Sequence, residues 1–187
     1  MKSQKLLIIG AIVCLLVGAS GTAMARNDCP NGFIFGGNWK EIVIDEFKEC
    51  VVTAATVEGG VQVVNANNFT MVASRVSGDV RIENTVGAVL VSNAIYSGNL
   101  VTKDNGFSIV YKNIVDNGNI EAIDTKNHQE VAVVENQVFN GSILVYGNKK
   151  ADVKQNNVKV GNISCYENDS LDSFFNHTVF GTMDCKN

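Results

Sequence analysis

A five-residue phrase recurs along this chain: Gly98-Asn99-Leu100-Val101-Thr102, Gly118-Asn119-Ile120-Glu121-Ala122 and Gly161-Asn162-Ile163-Ser164-Cys165. Its glycine belongs to a column at positions 59, 78, 98, 118, 141, 161 and 181, with spacings of 19, 20, 20, 23, 20 and 20. A period of this length points to a solenoid, because one repeat cannot bury its apolar side until a neighbour stacks on it. Two residues after each glycine stand Val61, Val80, Leu100, Ile120, Ile143, Ile163 and Met183; four after it stand Val63, Ile82, Thr102, Ala122, Val145, Cys165 and Cys185. Polar or variable residues lie between them, which is the alternation of a half-buried strand.

A second register runs through Asn93, Asn113, Asn136, Asn156 and Asn176, each five residues before the next repeat glycine. Leu90, Val110, Val133, Val153 and Ser173 precede these asparagines by three positions, and Ile95, Val115, Val138, Val158 and Thr178 follow them by two. The column predicts a bend between two strands, with each side-chain amide bonding to the next coil as a structural ladder. The repeat glycines predict a further corner where φ is positive. The one long repeat carries its excess in Asp124–Gln129, a polar run expected to loop outward. Upstream, Ile42 and Ile44 lie 19 residues before Val61 and Val63, so the first rung is expected at Glu41–Asp45. Cys29 to Trp39 fall outside the register and hold the chain's sole Pro and Trp. Residues 26–40 therefore read as an N-terminal cap over strand edges and an open core, with the β-helix at 41–187.

Other repeat folds fail on period. No 3.6-residue pattern persists, the L-x-x-L-x-L phrase of leucine-rich repeats is missing, and no apolar residue recurs every five or six positions from Gly98 to Asn117. What remains is an all-β, right-handed, single-stranded parallel β-helix of about seven to eight coils of ~20 residues, a rod roughly 35 Å long.

Residues 1–25 read as a cleaved secretory signal: Lys2 and Lys5, an apolar run from Leu6 to Val17, then Ala23 and Ala25 as the small residues of a cleavage site. Cleavage removes Cys14 and two of the 15 basic residues but none of the 19 acids, leaving a net charge of −6. Such a balance argues against nucleic acid as a partner, and no second long apolar run predicts a membrane span in the mature chain. The four remaining cysteines suit an oxidising compartment and a secreted location, whether extracellular, periplasmic or at the cell surface. Cys165 and Cys185 share a position in consecutive coils, so their α-carbons should lie about 4.8 Å apart, within disulfide range. Cys29 and Cys50 then pair by elimination.

Chemistry must be sought at outward positions, and there it is sparse. Asp79 and Arg81 form an expected surface pair, Glu121 stands two coils away, and His128 and His177 are the chain's two histidines, far apart in the repeat. Neither a zinc pattern, a metalloprotease helix motif nor a serine-hydrolase elbow occurs, so no catalytic residue, metal ligand or cofactor is expected. The sharper signal is apolar residues pointing outward. With Leu90, Val110 and Val133 facing the core, Val72, Val89, Val91, Ile109, Tyr111 and Val134 project to solvent on stacked coils, a candidate interaction stripe. It is expected to be covered by the cap around Phe33, Phe35 and Trp39, by a protein partner, or by a second copy.

Between Ile42 and Cys185 the pattern V-x-x-N-x-V-x-G-N-[apolar]-x-V, with Cys50 before the first full rung and Gly181 to Cys185 at the end, resembles a group of small, uncharacterised, exported bacterial proteins with right-handed β-helix repeats. Two departures are Asp169 to Asn176 in place of a Pro/Gly-rich insert in the final coil, and the additional Cys29. The resemblance implies fold and export and brings no catalytic residue. The expected function is a non-enzymatic exported module, structural or engaged in surface interaction. The alternative is a carbohydrate-binding or polysaccharide-active β-helix with a glycan as partner, which rests on fold analogy.

Overall fold

In the computed structural model, which describes residues 24–26, 29, 32–46, 49–124, 126 and 128–185, the chain is an all-β parallel solenoid of about seven turns. Each coil carries three strands, and every coil stacks in parallel register on the next. Face 1 comprises Phe33–Phe35, Glu49–Thr53, Asn68–Val72, Gly87–Val91, Phe107–Tyr111, Glu130–Val134, Lys150–Lys154 and Leu171–Phe174. Face 2 runs from Thr56–Val57 to His177–Phe180, and face 3 from Val61–Val64 to Met183–Cys185. The long strand Asn38–Asp45 serves both of these, pairing with Thr56–Val57 through Asn38 and Trp39 and with Val61–Val64 through Ile42 to Asp45.

The core is a set of straight columns, because parallel pairing in register places like positions above one another. Val61, Val80, Leu100, Ile120, Ile143 and Ile163 form one column on face 3, and Val63, Ile82, Thr102, Ala122, Val145 and Cys165 its neighbour. Val57, Val76, Ile95, Val115, Val138 and Val158 line face 2, while Val52, Met71, Leu90, Val110, Val133 and Val153 line face 1. All are buried. Thr102 is the one polar member of its column. It is fully buried between Ile82 and Ala122, and its hydroxyl lacks a hydrogen-bond partner. An isosteric valine removes that unmet group, so Thr102→Val is expected to stabilise the protein by about 1 kcal/mol, raising Tm by a few degrees. A thermal melt showing no gain would disprove the idea that this hydroxyl is an uncompensated cost.

The solenoid starts earlier than its sequence pattern suggests. Phe33–Phe35 already pairs with Glu49–Thr53, and Asn38 and Trp39 are in register with the next coil, so residues 33–40 are part of the first coil and do not form a separate cap. The pattern misses this coil because Gly36 and Gly37, with φ of 59° and 79°, turn its corner. The Trp39 indole N–H closes that corner on the Gly36 carbonyl. Cys29 joins Cys50 with α-carbons 5.8 Å apart, and Cys165 joins Cys185 at 4.4 Å. The proposed leader lies outside the described residues except for Met24 and Ala25. With Arg26 these form a strand paired with Asn38–Asp45.

Two of the three corners are left-handed. Ala54, Ala73, Ser92, Lys112, Glu135, Gln155 and Phe175 all have φ between 50° and 55°, and each immediately precedes the face 1 to face 2 bend. Seven non-glycine residues thus accept a conformation that costs L-residues about 1 kcal/mol or more each. The amide ladder that follows them is the compensation.

Candidate interaction face

Three ladders of side-chain hydrogen bonds run along the rod and account for most of its conspicuous polar residues. At the first corner Asn93, Asn113, Asn136, Asn156 and Asn176 stack. Each Oδ1 from Asn113 onward accepts the backbone N–H of the preceding asparagine at 2.9–3.0 Å. Each Nδ2 donates to a face 1 carbonyl of the preceding coil, as Asn136 does to Val110 O at 2.8 Å. Ser74 and Ala55 extend the ladder backward. These amides face other coils and leave no free row toward solvent.

The corner between faces 3 and 1 holds a second ladder that the repeat analysis overlooked: Thr85, Asn105, Gln129, Asn148 and Asn168. All but the last are buried. Its spacing follows the glycine period within a residue, and the substitution of Thr and Gln for Asn hid it. Gln129 is also why the long repeat differs from expectation. Asp124 and Gln129, at the ends of the run, are buried, and among the described residues between them Lys126 and His128 are exposed. The Asp124 carboxylate turns inward and accepts the backbone N–H groups of Lys126, His128 and Gln129, while His128 Nδ1 lies 3.2 Å from it.

The third ladder uses positions that the sequence leaves open to chemistry. Asn99 donates its N–H to Asp79, Asn119 to Asn99, Ser142 to Asn119, Asn162 to Ser142 and Thr182 to Asn162, all at 2.7–3.0 Å. Asp79 therefore ends a ladder. Arg81 pairs with Glu83 and not with Asp79, since Glu83 stands two places along the same strand face. Glu121 is two coils from Arg81, and His177 is exposed on face 2, remote from His128. Among the described residues no group of three or more His, Cys, Asp or Glu could hold a metal ion, and no helix is long and apolar enough to cross a membrane.

The outer side of face 1 is of a different kind. Parallel register aligns Phe33, Val51, Thr70, Val89, Ile109 and Ala132 in one outward column, and Phe35, Thr53, Val72, Val91, Tyr111 and Val134 in the next. Val72, Val89, Val91, Ile109, Tyr111 and Val134 thus share one surface, none of them buried. Phe33 and Phe35, 47% and 55% exposed, lie in the same sheet and lengthen the stripe; they do not fold over it. Trp39 packs against the core and is likewise no lid. Six coils at about 4.8 Å make an apolar strip on the order of 25 Å long.

The strip ends in charge. Ala132 is followed in its column by Asp152 and Asp172, and Val134 by Lys154 and Phe174. Lys154 bridges the two acids, 3.4 Å from Asp152 and 2.5 Å from Asp172, and the hydrogen bond to Asp172 holds its ammonium above the usual lysine range. Along one margin Lys112 sits over the Tyr111 ring and 3.4 Å from Glu135; hydrogen bonding to Tyr111, then to Glu135, raises its pKa too. At the other margin the Phe107 ring lies across Gly87, and a shallow groove of about 300 Å³ runs between Phe107, Ile109, Ala132, Glu130, Lys150 and Asp152. The face can take up an apolar, flat partner surface bounded at one end by paired charges. No protein-family model, no curated protein and no solved structure matches the chain.

Proposed function

We propose that this protein is an exported, non-enzymatic interaction module that engages a partner protein through the outer side of face 1. The observation that carries the reading is the uncovered apolar register from Phe33 and Phe35 to Ala132 and Val134. A soluble solenoid needs its inward columns apolar and has no folding use for an outward one, so such a strip costs solubility unless something occupies it. Export is supported by the two disulfides and by the leader-like residues 1–25. The charges of Lys112, Glu135, Lys154, Asp152 and Asp172 lie on the margin and end of the strip, where they would orient a partner while adding little affinity.

Two measurements test this reading. The oxidised chain is expected to bind a hydrophobic dye saturably, and Ile109→Glu, at a position 40% exposed, is expected to weaken that binding at least several-fold without changing the melting temperature. A chain that binds no dye would count against an accessible strip. A glycan array, run with and without calcium, is expected to show no saturable ligand. A saturable hit lost on Phe107→Ala would move the function to carbohydrate binding in the groove beside Glu130, Lys150 and Asp152.

A further inference from the structure

The outer side of face 1 carries its polar and apolar residues in an order that fits the same face turned end for end. Its outward positions form three columns. The first runs Glu49, Asn68, Gly87, Phe107, Glu130 and Lys150, beside the column that holds Val89 and Ile109 and the column that holds Val91 and Tyr111. Glu49 and Lys150 are both exposed, and they stand equally far from the midpoint of their column between Gly87 and Phe107.

Resting on the reading of face 1 as the interaction surface, we propose that the partner is a second copy of this chain, laid face 1 to face 1 with the two rods antiparallel. The two-fold axis runs parallel to the strands, between Gly87–Val91 and Phe107–Tyr111. Such an axis keeps each column opposite itself and reverses the order of the coils. Glu49 of one copy then faces Lys150 of the other, and Asn68 faces Glu130, each contact occurring twice. Val89 meets Ile109, Val91 meets Tyr111 and Val72 meets Val134, so the apolar positions cover one another. Beside the axis the two Phe107 rings, each lying across its own Gly87, come together as an aromatic pair. Asp152 and Asp172 fall opposite Val51 and Phe33, and Lys154 of their own chain already bridges them. An unrelated partner would need the same arrangement built independently, whereas a second copy supplies it by symmetry. Area agrees. Eight strands about 4.8 Å apart, with up to five residues at about 3.4 Å each, give face 1 roughly 35 by 17 Å. Covering it on both copies buries about 1,200 Å², above the lower bound of about 1,000 Å² for a specific interface. The amide ladders on both margins of face 1 hold each coil over the next, the arrangement that keeps a sheet flat enough for facing columns to stay aligned.

Light scattering coupled to size exclusion is expected to give the oxidised chain twice its mass at about 100 µM, where a micromolar association is saturated. Small-angle X-ray scattering should then show a maximum dimension close to that of one rod. Glu49→Lys and Lys150→Glu, both at exposed positions, each set like charges opposite one another twice, and each is expected to weaken association at least tenfold with the monomer's melting temperature intact. An equimolar mixture of the two variants is expected to restore the dimer, since each then meets the opposite charge on the other. Phe180→Lys, on face 2, should leave the dimer unchanged. A monomer at about 100 µM overturns the proposal. So does a dimer nearly twice as long as one rod, a dimer that neither charge substitution weakens, or a mixture that fails to associate. Dye binding separates the failure of this proposal from that of the face 1 reading. The unaltered chain is expected to take up the hydrophobic dye at about 0.1 µM and to release it as association proceeds. A chain that stays monomeric and binds dye equally at every concentration overturns the second copy and leaves face 1 to another protein, whereas one that stays monomeric and binds none removes both.

Discussion

Gly141→Ala is expected to destabilise the protein by about 3–5 kcal/mol, a large share of the total stability of a domain this size. Two separate costs combine. A Cβ at this position would fall deep inside the van der Waals envelope of the Gly118 carbonyl oxygen in the coil below, and close to Asn119 Oδ1 as well. The carbonyl belongs to the backbone of a rigid stack, so it cannot swing away as a flexible side chain would. Gly141 also has φ of 154°, which an alanine resists. Gly36→Ala is the informative control. Gly36 has φ of 59° but nothing within 4 Å of an added Cβ, so it should lose only about 1 kcal/mol. Urea denaturation of the two variants gives the comparison, and equal losses would show that close approach between coils is not what requires glycine.

The second large effect is expected at Asn136, where alanine should cost about 3–5 kcal/mol. Its Oδ1 accepts the N–H of Asn113 at 2.9 Å and the Nδ2 of Asn113 at 3.2 Å, and its Nδ2 donates to Val110 O at 2.8 Å and to Asn156 Oδ1 at 3.0 Å. The side chain is fully buried, so truncation strands groups on both neighbouring coils with no water to replace the lost partners. Aspartate does not rescue the site, since it brings an unpaired buried charge in place of the donor. Position along the rod sets the size of the loss. Asn176, in the last coil and partly exposed, should lose about 1 kcal/mol on the same truncation. A chemical-denaturation series in which Asn136→Ala and Asn176→Ala lose equal stability would contradict a ladder whose strength comes from burial.

These two residues also mark what was legible in the sequence. Gly141 and Asn136 repeat as themselves in neighbouring coils, so periodicity exposed them, the columns of Ile143 and Val138 beside them, and the pairing of Cys165 with Cys185. The second ladder resisted because its residue types change along the rod: Thr85 starts it as a donor, and the accepting oxygen comes from Asn105 in one coil and from the longer Gln129 in the next. The left-handed corner resisted more strongly. Ala73, Ser92, Lys112 and Gln155 share φ near 50–55° without sharing any chemistry, because the conformation is imposed by the amide bonds that follow and not by the residue itself. The first coil was missed because Gly36-Gly37 turn the corner that asparagine or serine marks in later coils, and its Gly37-Asn38 lies 22 residues before Gly59, out of the repeat register. On the surface, alternation put Val89 and Ile109 outward, but only the register of Phe33 with Val51 shows that the N-terminal residues prolong the strip. The Asp79–Arg81 pair was misjudged because separation in sequence says nothing about which acid a flexible guanidinium reaches.

The ladders connect each coil only to its immediate neighbours, and Lys126 reaching Asn84 across two coils is an exception on the surface. A rod assembled this way has no preferred number of storeys. Excising one period leaves every remaining amide facing an equivalent amide, and inserting one does the same, while the tied first coil and the bridged last coil stay as they are. Length is therefore an independently adjustable quantity, graduated in steps of about 4.8 Å. A lineage could set the distance between whatever the two ends touch as one sets a vernier, without redesigning either end.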